Sequence, residues 1–247
     1  MVVRRHLPAL GVVVTVPSII VAQLVACGGG SHANIDSHIT LHDSPNGSAD
    51  AADLCTATAS YGAATLGGSA VSQYAGSGSS QATGFFEFYL DSLNTGATPD
   101  YLEVDLYSGY GAFTGVVKPG SYTLGNAATG DNVNSTCGVC VIIDTDVNTS
   151  TGAVTDFYFA NAGTLTLTAD NETSFAGTLS NAMFTHVTAG SDSMGNPIAG
   201  DTAAADGCTS SITSATMTAT PTMQPANFRG GDTVDGIPVH IHLRNRY

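Results

Sequence analysis

Four groups of side chains in this sequence could do chemistry. Asp144-Thr145-Asp146-Val147-Asn148 opens like a calcium loop, with oxygen donors at alternate positions. An EF-hand then needs Gly at its sixth position and Glu at its twelfth. Here those positions are Thr149 and Thr155. Calcium at Asp144, Asp146 and Asn148 would therefore need backbone carbonyls and water, and Asx turns at a strand end are the plainer reading. Glu103 and Asp105 stand two apart on one strand face. Paired carboxylates serve glycoside hydrolysis as acid and base or as acid and nucleophile, and the flanking Tyr101 and Tyr107 could hold a sugar ring. Trp, the strongest stacking residue for sugars, is absent from the chain, and a solvated strand face is the plainer alternative. His240-Ile241-His242 puts two imidazoles on one side of a strand, two of the three ligands a zinc site takes. No third ligand is identifiable, and His186 reads as a surface or satisfied histidine. The fourth group is Cys55, Cys137, Cys140 and Cys208.

Of the five cysteines, Cys27 ends the N-terminal apolar run described below; the other four are an even count, which points to two disulfides if the chain is exported. If Cys137 and Cys140 share one straight strand, their Cα atoms are about 10 Å apart, too far to bridge, and each would pair with Cys55 or Cys208. If Cys137-Gly138-Val139-Cys140 forms a turn, the two pair locally. Zinc ribbons carry two C-x-x-C knuckles and this chain has one. Nucleophilic chemistry has little footing: there is no G-x-S-x-G elbow, P-loop or dinucleotide fingerprint. Lys118, the single lysine, lies in a Lys-Pro-Gly turn.

The elements that would position these groups are strands. Tyr101 to Tyr107 alternates without error, Leu102, Val104 and Leu106 pointing one way and the polar set the other. Further strand patterns run at 85–90, 140–143, 154–160, 164–168, 174–179, 182–188, 211–218 and 237–243. Val116-Val117 and 121–124, joined by Lys118-Pro119-Gly120, predict a hairpin. No window shows the 3.6-residue spacing of a helix. About ten short strands separated by Gly, Asn, Asp and Pro predict an all-β fold, an antiparallel sandwich or barrel-like single domain over 53–247, with a long loop at about 189–207.

The N-terminus supplies an address. Arg4 and Arg5 precede an apolar run over 7–22 that Pro8, Gly11 and Pro17 interrupt, a pattern of secretory leaders more than of membrane-spanning helices. It ends in Leu24-Val25-Ala26-Cys27. This resembles the lipobox of bacterial lipoproteins. The resemblance implies a signal peptide over 1–26, cleavage before Cys27, and acyl chains on that cysteine; two or three chains make a stable membrane anchor where one does not. Gly28 to Ser31 opens a flexible tether over 27–52 that also holds His32, His38 and His42. Gly28 rather than Asp after the cysteine implies the outer membrane. The stretch 130–188 is also similar to Thr/Gly-rich exported lipoproteins of unassigned function. It shares a C-x-x-C entering an apolar strand, the acidic turn, and the strands beginning Gly163-Thr164-Leu165 and Gly177-Thr178-Leu179.

Charge narrows the partners. The leader removes Arg4 and Arg5, so four basic residues face all 20 carboxylates and the mature chain carries 4 − 20 = −16. Such a surface repels phosphate backbones and excludes nucleic acid as a partner. The reading is a lipid-anchored, non-catalytic cell-envelope protein that binds a glycan or protein partner or is structural. The alternatives are an envelope-tethered polysaccharide hydrolase using Glu103 and Asp105, and a metal-binding envelope protein.

Overall fold

The period-2 patterns become strands, and both faces of several of them are buried. The computed structural model describes residues 55–73, 86–171, 173–191, 195, 197–224, 233–234 and 237–238. Cys27, the leader, the tether, His240 and His242 lie outside these. In chain order the strands are β1 Ala63–Leu66, β2 Ser69–Gln73, β3 Phe86–Ser92, β4 Tyr101–Tyr107, β5 Gly120–Thr123, β6 Val139–Asp144 and β7 Phe157–Asn171. They continue with β8 Ser174–Ser191, β9 Pro197–Ala203, β10 Thr209–Ala219, β11 Pro221–Gln224, β12 Thr233–Val234 and β13 Ile237–Pro238. The fold is all-β.

Eleven strands form one sheet in the order β1-β10-β8-β7-β6-β4-β3-β2-β11, with β5 added to β7 and β9 to β8. The two ends of this path are continuations of the same two chain segments. β1 runs into β2 through Gly67-Gly68, and β10 runs into β11 through Thr220. Ala63 pairs with Ser214 in parallel; seven residues further along both segments, Ala70 pairs with Pro221, again in parallel. One parallel seam in one register therefore joins the first long segment to the last, and the sheet curls around into a barrel-like body. Of the antiparallel sandwich or barrel-like domain anticipated from sequence, the purely antiparallel pairing is corrected: these eleven strands form one mixed sheet, and β12 and β13 pair in a separate two-stranded one. The cause is parity. The long segments form an up-and-down meander of seven, and after six antiparallel steps, an even number, the first and last run the same way.

The concave side holds the main core. Leu66, Ala70, Tyr89, Leu102, Val104, Leu106, Val141, Ile143, Tyr158, Leu165, Phe175, Leu179, Phe184, Ile212 and Met217 belong to one buried cluster. Tyr89 stacks on Phe175 at 4.9 Å between ring centres. Each such aliphatic or aromatic side chain contributes roughly 1.5–3 kcal/mol on full burial. A second cluster lies on the opposite face and includes Phe88, Leu90, Tyr101, Tyr107, Cys140, Ile142, Phe157 and Phe159. β4 and β6 thus separate two apolar layers and are buried at every position.

The two strand breaks that the sequence pattern leaves at 161–163 and 180–181 are bulges within continuous strands. Asn161-Ala162-Gly163 interrupts the pattern but not the strand: β7 passes through with register shifts between Ala160 and Thr164. Gly163 has φ +119, and a Cβ there would meet Ala182 Cα at 2.7 Å. On the facing strand Asn181 takes φ +48. Core residues on β7 are Tyr158 and Ala160 before the bulge, Leu165 and Leu167 after it; on β8 they are Leu179 and then Ala182 and Phe184. Both strands change parity at one level, so both keep their apolar set inward. The loop expected at 189–207 is largely hairpin, since β8 runs to Ser191 and β9 pairs back on it. The expected 116–124 hairpin does not form: Val116 and Val117 are not strand, and β5 pairs with β7.

Candidate functional site

Glu103 and Asp105 lie on the outer side of β4, between Leu90 and Ile142 and between Phe88 and Cys140 on the flanking strands. They are not a solvated face. Glu103 is 4% exposed and Asp105 0%. Asp144, at the end of β6 opposite Tyr101, is 6% exposed and comes within hydrogen-bonding reach of Glu103. Burial first, then the neighbouring charges of Asp105 and Asp144 and hydrogen bonds to both, hold the Glu103 carboxyl well above the usual glutamate range. The Tyr107 hydroxyl donates to Asp105 Oδ2 at 3.4 Å. This arrangement can keep a proton between carboxylates. It does not set two carboxyls across a cleft, as attack on a glycosidic bond requires.

The D-x-D-x-N stretch divides among separate tasks. Asp144 faces Glu103. Asp146 takes φ +50, donates its N–H to Asp100 Oδ1 at 2.9 Å, and accepts from Thr98 Oγ1 at 3.3 Å. Asn148 Oδ1 accepts from Ser150 N at 3.0 Å and Thr151 N at 3.2 Å, an Asx turn closing the loop before β7. The three side chains that a calcium loop would converge are held apart by these partners.

Asp100 and Asp131 are buried carboxylates that sequence reasoning did not single out. Asp100 Oδ2 accepts from Tyr61 Oη and Asn94 Nδ2, both at 2.7 Å. Burial and the Asp100 carboxylate push the Tyr61 phenol up. Asp131 Oδ1 accepts from Gly138 N at 2.6 Å and Val139 N at 3.0 Å, so it caps the entry to β6. Each is a turn or strand-end acceptor, a role that any Asp in a Gly/Asn-rich stretch can take, and no local signal separates these two from the rest.

His186, on β8, is the third focus. Its Nδ1 bonds Asp206 Oδ2, its Nε2 lies 3.3 Å from Asp156 Oδ1, and its ring stacks on Tyr158 at 5.1 Å. Asp156 Oδ2 also accepts from Thr56 Oγ1 at 2.9 Å. The Cys208 N–H first, and then His186, hold the Asp206 carboxyl below its ordinary range. An imidazolium donates to both carboxylates at once, whereas neutral imidazole satisfies one. The cluster ties the segment entering β1 to the β9–β10 turn. His186, Asp206 and Cys208 bring a nitrogen, an oxygen and a sulfur within 4.8 Å of one another, the types zinc takes. That sulfur, however, is bonded to Cys55.

The cysteine pairing is Cys55 with Cys208 and Cys137 with Cys140, both with Cα atoms 5.5 Å apart. Cys137 lies before β6 begins, so the C-x-x-C is a turn entering a strand, and the local alternative is the one realised. His240 and His242 lie outside the described residues, as does Cys27. Among the described residues no helix is long and apolar enough to cross a membrane. No family model matches the chain, and neither a curated protein nor a solved structure matches it.

Proposed function

We propose that this chain is a lipid-anchored, non-catalytic protein of the bacterial cell envelope, its β body serving as a binding or structural module on an acylated tether. The observation that carries the reading is Leu24-Val25-Ala26-Cys27 followed by Gly28-Gly29-Gly30-Ser31. Two features of the body support it. The concave side is filled by its own side chains, Tyr89, Tyr158, Phe175 and Phe184 being fully buried, which suits a rigid module more than a carrier with a lumen. Cys55, near the end of the tether, is bonded to Cys208, so a pull from the membrane enters the body at a covalent staple and not at the free edge of β1.

The hydrolase alternative draws no support from Glu103 and Asp105, which are adjacent on one strand and buried. An outer-membrane destination is part of the proposal and rests on Gly28. The test is the mass of the N-terminal peptide from native material, together with fractionation of a Cys27→Ser variant. The proposal expects acyl mass on Cys27 and loss of the variant from the membrane fraction. An unmodified cysteine, or a variant that sediments with membranes as before, overturns it.

A further inference from the structure

The corner where the chain enters β1 and β10 gathers more than a disulfide. One donor atom each from His186, Asp206 and Cys208 lies within 4.8 Å of the others, and the Cys55 sulfur is bonded to that of Cys208. Two sulfurs, an imidazole nitrogen and a carboxylate oxygen are a complete donor set for tetrahedral zinc. While the two sulfurs hold each other the set is closed to an ion. Opening their bond completes it.

The surrounding contacts suit that use. His186 turns Nδ1 to Asp206, and its Nε2 lies 3.3 Å from Asp156 Oδ1. A histidine that ligates through one nitrogen needs its other N–H held by an acceptor, which fixes the ring and its tautomer. Asp156 stands where that acceptor belongs. Tyr158 stacks on the ring. On the backbone, His186 N donates to the Cys208 carbonyl at 3.0 Å, and Ala204 N donates to the His186 carbonyl at 2.9 Å. The imidazole is thus fixed on β8. Asp206 Oδ1 accepts from Cys208 N at 2.9 Å, which leaves Oδ2 to turn toward an ion. The groups that must shift are on connections: Asp206 lies between β9 and β10, and Cys55 precedes β1. Tetrahedral bonds of about 2.3 Å to sulfur and about 2.0 Å to nitrogen and oxygen put the sulfurs about 3.8 Å apart and the nitrogen and oxygen about 3.3 Å apart.

We infer that reduction of the Cys55–Cys208 bond turns this corner into a zinc site, with Cys55 Sγ, Cys208 Sγ, His186 Nδ1 and Asp206 Oδ2 as ligands and Asp156 positioning the ring. The reductant is an external dithiol. Its thiolate attacks Cys55 Sγ, because Cys55 is partly exposed while Cys208 is 2% exposed, and Cys208 leaves as the thiolate. The second thiol of the reductant then displaces Cys55 and closes the reductant's own disulfide. Two electrons and two protons have passed to the two cysteines. Zinc takes both sulfurs as thiolates, and the two protons go to water. The ion joins the two points that the disulfide joined, so the start of β1 stays tied to β10 in either state. The inference does not rest on the anchor.

The test uses the full chain carrying Cys27→Ser, Cys137→Ala and Cys140→Ala, which leaves Cys55 and Cys208 as its cysteines, and cobalt as a spectroscopic stand-in for zinc. The oxidised chain should give no thiolate-to-cobalt charge-transfer band. After reduction by a phosphine and its removal, the chain should bind one cobalt with a two-thiolate band and the visible bands of tetrahedral cobalt, and one equivalent of zinc should displace it. Zinc should also raise the Tm of the reduced chain. Asp156→Asn should weaken zinc about tenfold with the charge-transfer band retained. His186→Asn and Asp206→Asn should each weaken it more and alter the visible bands. A reduced chain that shows no thiolate band overturns the inference. So does cobalt bound with equal affinity and spectrum by the His186→Asn and Asp206→Asn variants, or bound only when far-UV circular dichroism shows the chain unfolded. Zinc held as tightly by the oxidised chain, and released by His186→Asn, overturns the dependence on reduction.

Discussion

Glu103→Gln is expected to stabilise the protein at neutral and alkaline pH, against the usual direction for substitutions of buried residues. Side chains two apart on one side of a strand stand about 6.8 Å from each other. At an effective dielectric of about 20, two unit charges at that distance repel by about 2.4 kcal/mol. Asp105 is such a neighbour and Asp144 a second, diagonal one. Burial penalises ionisation further, so the folded protein keeps Glu103 protonated at pH values where the unfolded chain has released the proton. A carboxyl whose folded pKa is raised contributes stability that is fully present below the ordinary glutamate range and is lost as pH rises through the raised value. Glutamine has no proton to lose, and its amide donates to both aspartates. The variant should therefore match the wild type near pH 4 and gain about 2 kcal/mol by pH 8, or about 4–8 °C in Tm for a domain of this size. Urea titrations at pH 4, 6 and 8 give the difference directly. A variant less stable than wild type at pH 8, or a difference that does not change with pH, refutes the reasoning.

Further expectations follow from single positions. Gly111 has φ +46, and a Cβ there would stand 1.9 Å from Asp131 Oδ1 and 2.2 Å from Gly138 N. Gly111→Ala should cost at least about 3 kcal/mol in urea unfolding by displacing the cap of β6, while Gly115→Ala, with open space around it, should stay within about 1 kcal/mol. Replacing Cys55 and Cys208 together by Ala releases a loop of sequence separation 153 and should cost about 5 kcal/mol; replacing Cys137 and Cys140, three apart, should cost about 2 kcal/mol on the chain-entropy account. Chemical denaturation of the two variants ranks them. His186→Asn should move the Asp206 titration, followed by carboxyl-carbon NMR, upward toward the ordinary range without reaching it, because the Cys208 N–H bond remains. The stability held by Asp206 is present above the ordinary aspartate range and lost as pH falls through its lowered value, so the variant should lose less on acidification than the wild type.

Tyr101 to Tyr107 shows how far the sequence could be read. Its alternation placed Leu102, Val104 and Leu106 on one side and Glu103 and Asp105 on the other, and the strand has those bounds. Alternation reports two different faces; it does not report whether the polar face meets water. Here a second apolar cluster occupies that side, so the carboxylates are buried and a solvated face was the wrong inference from a correct pattern. Gly163 and Asn181 were legible as breaks but not as paired bulges, because one strand's break acquires meaning only from the register of the other. β9 was missed for a different reason. Pro-Ile-Ala-Gly-Asp-Thr-Ala carries almost no intrinsic strand preference, and it becomes a strand by completing the hydrogen bonds of an overlong β8. The His186 cluster brings together Thr56, Asp156, His186 and Asp206 from distant parts of the chain, and no spacing rule reaches that far.

The parallel seam explains why the long disulfide stands where it does. Antiparallel neighbours in the meander follow one another along the chain, the longest step being from Tyr107 to Val139, and close at lower entropic cost. The seam instead pairs Ala63 with Ser214, ends of the body that no short connection brings together, so ordering it carries the loop-closure entropy of nearly the whole domain. Cys55 precedes β1 and Cys208 immediately precedes β10. Their bond fixes the start of both seam strands on the same side, which turns the longest-range pairing in the fold into a local one. The His186 cluster acts at the same corner, Asp206 accepting from Cys208 N at 2.9 Å and Asp156 from Thr56 Oγ1. Strands as short and weakly patterned as Ala-Ala-Thr-Leu and Ser-Ala-Val-Ser-Gln would be poor candidates to close a sheet by their own propensity. They close this one because covalent and ionic links at one end have already removed most of the entropy that opposes them.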